Sequence, residues 1–227
     1  MIDYARTKRI PQEGDGETDR LCKLLNEAAS IARTTLESIQ ALAGTTVCKV
    51  VQIAALEKWA KEKGCWIDDI SLIGVYSSRG SENEVYSDLD NGIVYKLNDF
   101  RYADDNLTPF FERLEAHNHY FEYCKYELIG MAKNQDGKVC AVLKQAFIEA
   151  EREATEQEIH DELERMGFLC QYEGECYSNG EHDIYDALPN NVLVGMDGLL
   201  YFIDTIIYRT SPDTFTTYKS QSPRYSS

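Results

Sequence analysis

Asp186-Ala-Leu-Pro-Asn-Asn191-Val-Leu193 stands just ahead of a predicted β-hairpin, and the second strand of that hairpin closes on Phe202-Ile203-Asp204. Asn191 to Val194 and the β-rich run Leu199 to Ile203 flank a turn containing Asp197-Gly198, a dipeptide that suits a tight hairpin because glycine accepts the backbone angles the turn needs. Closing the hairpin brings two carboxylates and an amide together. A divalent cation held against nucleotide phosphates needs oxygen ligands, and Asn191 and Asp204, at opposite ends of one hairpin, offer them. Asp186, before the first strand, is placed to orient or deprotonate a hydroxyl. Taken singly, Asp, Pro and Asn are also common turn residues for purely local reasons.

Upstream, the pattern is that of an α+β chain with no repeats and no alternating βαβ units. Residues 1–17 are polar, with Pro11, Gly14 and Gly16, and are expected to be flexible. Leu21, Leu24, Leu25, Ala28, Ile31, Leu36, Ile39 and Leu42 then recur at helical spacing up to Gly44, and a second helix from Thr46 runs to Gly64. Short β-prone runs follow at Ile70 to Tyr76, Glu84 to Tyr86 and Gly92 to Leu97. Thr108-Pro109 reads as an N-cap and first-turn pair opening a helix to about Phe121. Strands return at Tyr126 to Met131 and Lys138 to Ile148, and Thr155 with Glu158 forms a capping box for a helix closed by Gly167.

Composition excludes several classes. The 227 residues are 43% hydrophobic and 27% charged, and no run approaches the roughly 18 apolar residues that a membrane span needs. A formal charge of -16 argues against a nucleic-acid partner, because binding to phosphate backbones comes from clustered Lys and Arg. The start of the chain lacks the basic and apolar regions of a secretory signal, so a reducing, cytoplasmic setting is expected. Seven scattered cysteines without a C-x-x-C pair read as small buried hydrophobes. His117 and His119 lack metal-ligand spacing and read as helix-packing residues, His182 and Asp183 as polar loop residues, and the fifteen tyrosines as packing groups.

The Asp186 to Leu193 stretch with Asp204 resembles the protein-kinase catalytic core, in which D-x-x-x-x-N supplies a base and a metal-binding Asn, and a later Asp at a strand end binds Mg2+. Thr205 and Ile206 replace the Phe and Gly of D-F-G, and Ile184 and Tyr185 replace the usual His and Arg before the base. Ile93-Val94-Tyr95-Lys96 resembles the strand that ends in the phosphate-binding Lys. The helix from Thr108 then corresponds to the one whose Glu pairs with that Lys, with Glu112 at a better distance than Glu115. Gly80 to Tyr86 corresponds to the loop covering the nucleotide, with one glycine where kinases usually show three, and Lys144 to Glu149 corresponds to the adenine-binding hinge.

More narrowly, Gly80 through Ile206 is similar to the kinase domain of phage and mobile-element polyvalent proteins. The likeness rests on Glu84-Val-Tyr86, Val94-Tyr-Lys96, His117-Asn118, Tyr126-Glu-Leu-Ile-Gly130, Thr155, Met166-Gly-Phe168, Asp186 to Leu193 and Gly198 to Asp204. It implies a minimal protein-kinase-like fold: an antiparallel N-lobe sheet with one αC-like helix, a reduced helical C-lobe and an N-terminal helical extension. It divides the chain into helices over 18–64 packed on the core, a kinase-like domain over 65–209 and a flexible tail over 210–227. It also implies that Leu56 to Ala60 and Trp66 belong to the domain. With 23 residues after Asp204, the domain is expected to be cut short after its metal-binding Asp. The implied activity is ATP- and Mg2+-dependent phosphotransfer to a protein or small-molecule hydroxyl, with Asp186 as base, Gly80, Lys96 and Glu112 on the nucleotide side, and Asn191 and Asp204 on the metal. A pseudokinase that binds nucleotide or a partner is the alternative, and an adenylyl transferase on the same fold a third.

Overall fold

The computed structural model describes residues 15–43, 48–172 and 176–221. Helix α1 (Asp15–Ala43) begins three residues before Thr18, and α2 (Cys48–Lys63) stops where Gly64 takes φ +74°, a conformation costly for any residue with a Cβ. Buried Leu24, Leu25 and Ala28 from α1 and Leu56 and Ala60 from α2 join Leu128, Met131, Ala141 and Leu143 in one core. Burying each of the leucines contributes about 1.5–3 kcal/mol, so the helices and the sheet beneath them share one apolar interior. Gln52 is fully buried and fully used. Its amide donates to the Ala32 carbonyl at 2.7 Å and accepts from the Leu107 backbone N–H at 2.9 Å, tying α1 to the segment that leads into the next helix.

The first sheet has six strands: β1 (Trp66–Ile67), β2 (Val75–Arg79), β3 (Asn83–Asp88), β4 (Ile93–Asn98), β5 (Glu127–Lys133) and β6 (Val139–Ala146), in spatial order β1-β5-β6-β4-β3-β2. It is antiparallel except that the short β1 lies parallel to β5. The run Ile70 to Tyr76, expected as one strand, divides into a 3-10 turn at Ile70–Leu72 and the start of β2. There Asp69 accepts from the Ser71 backbone N–H and gives the turn a local hydrogen bond. Helix α3 (Thr108–Tyr120) packs Phe110, Phe111 and Leu114 into the same core. At its start the Thr108 N–H donates to Asn106 Oδ1 at 2.9 Å, in place of the expected Thr108 cap.

The second half is richer in strands than a helical C-lobe. β7 (Ala150–Glu153), α4 (Glu156–Arg165), β8 (Leu169–Gln171), β9 (Cys176–Ser178), β10 (His182–Tyr185), β11 (Val192–Gly195), β12 (Leu200–Phe202), β13 (Ile206–Arg209) and α5 (Thr214–Gln221) make a three-stranded sheet ordered β12-β11-β7 and a four-stranded sheet ordered β13-β10-β9-β8. The capping box of α4 forms as expected, Glu158 accepting from the Thr155 N–H at 2.8 Å. A second apolar core gathers Phe121, Ile159, Leu163, Phe168, Ile184, Val192 and Phe202. Two departures from expectation lie here. His182 and Asp183 are strand residues, with Asp183 buried and accepting from Thr210 Oγ1 at 2.6 Å. The segment expected to be loose carries α5, whose Tyr218 stacks on Tyr185 at 4.4 Å and is buried. Four of the cysteines, Cys65, Cys124, Cys140 and Cys176, are buried.

Candidate active site

Two strand pairings set the frame. β11 and β12 form the predicted hairpin, with Val192 opposite Phe202, while β10 pairs with β13, so the chain leaves one sheet at Tyr185 and returns to it at Ile206. Everything between those residues projects as a loop and hairpin, and both ends of that excursion carry the candidate groups. At the first end, Asp186 takes φ +56°, a left-handed conformation that Asp tolerates better than most residues. Pro189–Asn191 then makes a single 3-10 turn, and Asn191 Nδ2 donates to both the Asp186 carbonyl at 2.8 Å and its carboxylate at 3.0 Å. At the second end, the Ile203 backbone N–H donates to the Asn191 carbonyl at 2.9 Å. Asp186, Asn191 and the residue preceding Asp204 are therefore joined by hydrogen bonds.

Lys96 arrives from the other lobe. On β4 it lies between β3 and β6, opposite Val85 and Leu143, and its ammonium donates to the Asp204 carboxylate at 3.2 Å, the Ile203 carbonyl at 2.7 Å and the Tyr126 hydroxyl at 3.2 Å. Its side chain is 8% exposed and that of Asp204 is 49% exposed, so the ion pair is buried on the lysine side and open to solvent on the carboxylate side. Burial disfavours the charged ammonium, but the carboxylate of Asp204 and the hydroxyl of Tyr126 outweigh it and hold Lys96 above the ordinary lysine range.

Glu112 is not among these partners. It is exposed and lines a cavity of about 370 Å³ with Tyr102, Arg113 and Tyr208. The reason is helical phase: Leu114 and His117 line a small cleft together with Lys96's partners Tyr126 and Asp204, and Glu112 does not line it. Arg113 instead pairs with Glu82 at 3.3 Å and lies over the Tyr208 ring, with burial opposing its charge and Glu82 more than restoring it. Gly80 sits at the β2–β3 turn, where its own N–H donates to the Asn83 carbonyl at 2.8 Å.

Two residues read from sequence as packing groups belong to this site. Tyr126 OH donates to the Ile203 carbonyl at 2.7 Å, and burial raises its pKa against the opposing pull of Lys96. His117 Nε2 lies 2.8 Å from the Phe202 carbonyl, which can only accept, so the imidazole carries its proton on Nε2. The only sequence signal for either was their place in the motifs His117-Asn118 and Tyr126 to Gly130. Burial lowers the His117 pKa from 6.5 to about 4. The folded protein therefore holds this histidine neutral. Its contribution to stability is complete above pH 6.5 and disappears as pH falls to about 4, a loss on the order of 3 kcal/mol across that window. Urea denaturation at stepped pH is expected to show that loss as the difference between the native protein and His117→Phe, with Phe giving the flatter profile.

A lysine on an inner strand of an N-terminal antiparallel sheet, ion-paired across two lobes to a carboxylate beyond a hairpin preceded by Asp-x-x-x-x-Asn, fits a protein-kinase-like fold. Within that class, the family model described as Serine/Threonine/Tyrosine Kinase found in polyvalent proteins matches residues 49–211, well over half of the chain, and the chain belongs to this family. The match takes in α2 as well as the sheets. No curated protein and no solved structure matches the chain. No helix among the described residues is long and apolar enough to cross a membrane.

Proposed function

We propose that this domain is an ATP- and Mg2+-dependent phosphotransferase acting on a hydroxyl of a protein or small molecule. The observation that carries this reading is the Lys96–Asp204 ion pair, which joins groups 108 positions apart at the one place where Asn191 and Asp186 also converge. The donor set fits the metal: carboxylate and amide oxygens suit Mg2+, which is commonly held by one or two carboxylates together with substrate phosphates. Asp204, half exposed, and Asn191 would hold it, and bound there it would neutralise charge on the transferring phosphoryl oxygens. Lys96 fixes the phosphates by charge from the opposite lobe. Asp186 is the proposed base: its carboxylate accepts from Asn191 Nδ2, and the residue sits in a left-handed conformation immediately after β10. Lys144 to Glu149, which end β6 and lead into β7, are the proposed adenine hinge.

A second reading, a nucleotide- or partner-binding pseudokinase of a phage or mobile element, is favoured by two observations: α3 presents no carboxylate to Lys96, and the covering loop has one glycine whose amide is already used. Incubation with ATP labelled on the γ-phosphate, Mg2+ and mixed protein and small-molecule hydroxyl acceptors separates the two. The phosphotransferase is expected to release ADP and label an acceptor, and Asp204→Ala to lower the rate by roughly 10²–10³-fold or more. Release of labelled pyrophosphate with AMP attached to the acceptor would replace phosphotransfer by adenylyl transfer. Mg2+-dependent ATP binding without any product would establish the second reading instead.

A further inference from the structure

We propose that His117 and Tyr126 are the positioning residues that couple α3 to the Lys96–Asp204 pair, in the place where a glutamate from that helix would otherwise hold the lysine; the inference rests on the nucleotide site proposed above. Two successive carbonyls immediately before Asp204 are each held by two donors. The Phe202 carbonyl receives His117 Nε2 at 2.8 Å and Cys124 Sγ at 3.3 Å, and the Ile203 carbonyl receives Lys96 Nζ and Tyr126 OH, both at 2.7 Å. Tyr126 OH also lies 3.3 Å from the Asp204 carboxylate, so one hydroxyl touches the lysine, the carboxylate and the backbone between the strand and the carboxylate.

The next residue of α3 completes the link. Asn118 Nδ2 donates to the Tyr126 carbonyl and Asn118 Oδ1 accepts from the Tyr126 N–H, both at 2.7 Å, which fixes the tyrosine backbone to the helix that carries His117. The His117 ring packs against Tyr126 at 4.6 Å between centroids, and Phe121 stacks on Phe202 at 4.3 Å. Filling that space needs no nitrogen, since a phenylalanine would pack there. Burying an imidazole instead costs desolvation, which its hydrogen bond to the Phe202 carbonyl offsets. A shift of α3 therefore reaches Asp204 through neutral hydrogen bonds to its backbone, whereas a glutamate would act on Lys96 by charge.

The test compares His117→Phe, which keeps the ring and removes the donor, with His117→Gln, which keeps an N–H donor. Calorimetry measures ATP binding with Mg2+ and with EDTA, and urea denaturation at pH 7 reports folding. His117→Phe is expected to remain folded, to bind Mg2+-ATP roughly 10- to 100-fold more weakly and to bind metal-free ATP unchanged, with His117→Gln recovering most of the loss. Unchanged Mg2+-ATP binding in His117→Phe, an equal loss with and without Mg2+, or no recovery in His117→Gln overturns the inference while leaving the nucleotide site standing. Native protein that binds no ATP overturns the nucleotide site itself and the inference with it.

Discussion

Asp204→Ala is expected to destabilise the fold, whereas Lys96→Met leaves stability unchanged or raises it, although both abolish Mg2+-dependent nucleotide binding. The asymmetry comes from burial. Removing Asp204 strands a lysine whose side chain is 8% exposed without its counter-charge, while removing Lys96 leaves a carboxylate that is 49% exposed and can be hydrated. Breaking such a pair from its open end costs about 2–3 kcal/mol, below the value for two fully buried ions because water screens Asp204. In Lys96→Met the desolvation cost of the ammonium disappears, and the Ile203 carbonyl keeps its bond from Tyr126 OH, so no acceptor is orphaned. Replacing buried charge by a packed apolar side chain is then neutral or stabilising by about 1 kcal/mol or more. Urea midpoints at pH 7 measure both; equal destabilisation in the two variants would contradict the pairing.

Gly130→Ala is expected to be the most damaging small substitution in the first sheet, costing roughly 3–5 kcal/mol, a large part of the stability of an ordinary domain. Gly130 has φ +157° at an irregularity in the pairing of β5 with β6, and a Cβ built there would stand 1.9 Å from the Cys65 carbonyl oxygen. That carbonyl accepts from the Met131 N–H at 3.1 Å, so the clash falls on the backbone joining α2 to β1, which cannot step aside without losing the bond. Gly137→Ala is the control. Gly137 also has positive φ, +74°, but nothing lies within 4 Å of its Cβ position, and only the conformational cost of about 1–2 kcal/mol is expected. Denaturant unfolding of the two variants side by side distinguishes a steric block from a glycine preference.

Gly130 also shows where sequence reading reached its limit. Its place in the Tyr126 to Gly130 motif was visible, but the reason for it, the approach of Cys65 from far earlier in the chain, was not. The hairpin after Asp186 was legible because it is local: Asp197-Gly198 makes the turn, with Gly198 at φ +79°, and alternation sets the strands. The capping box at Thr155 was legible for the same reason. What escaped was decided by tertiary partners. β9, β10 and β13 are only three or four residues long, and they are strands because they pair with one another. α5 has little amphipathic pattern of its own and forms where Tyr218 and Phe215 find Tyr185 and Tyr172 to stack on. The choice of Glu112 assumed that a carboxylate must face Lys96. The phase of α3 gives that face to His117, a residue whose chemistry is invisible until the Phe202 carbonyl is placed beside it.

The most direct measurement is calorimetric titration of ATP into the native protein, Lys96→Met and Asp204→Ala, each with and without Mg2+. Binding that Mg2+ tightens in the native protein and that is lost in both variants, while Lys96→Met stays fully folded, is the predicted result. No binding by the native protein, or equal binding by all three, would contradict a nucleotide site built on Lys96, Asn191 and Asp204.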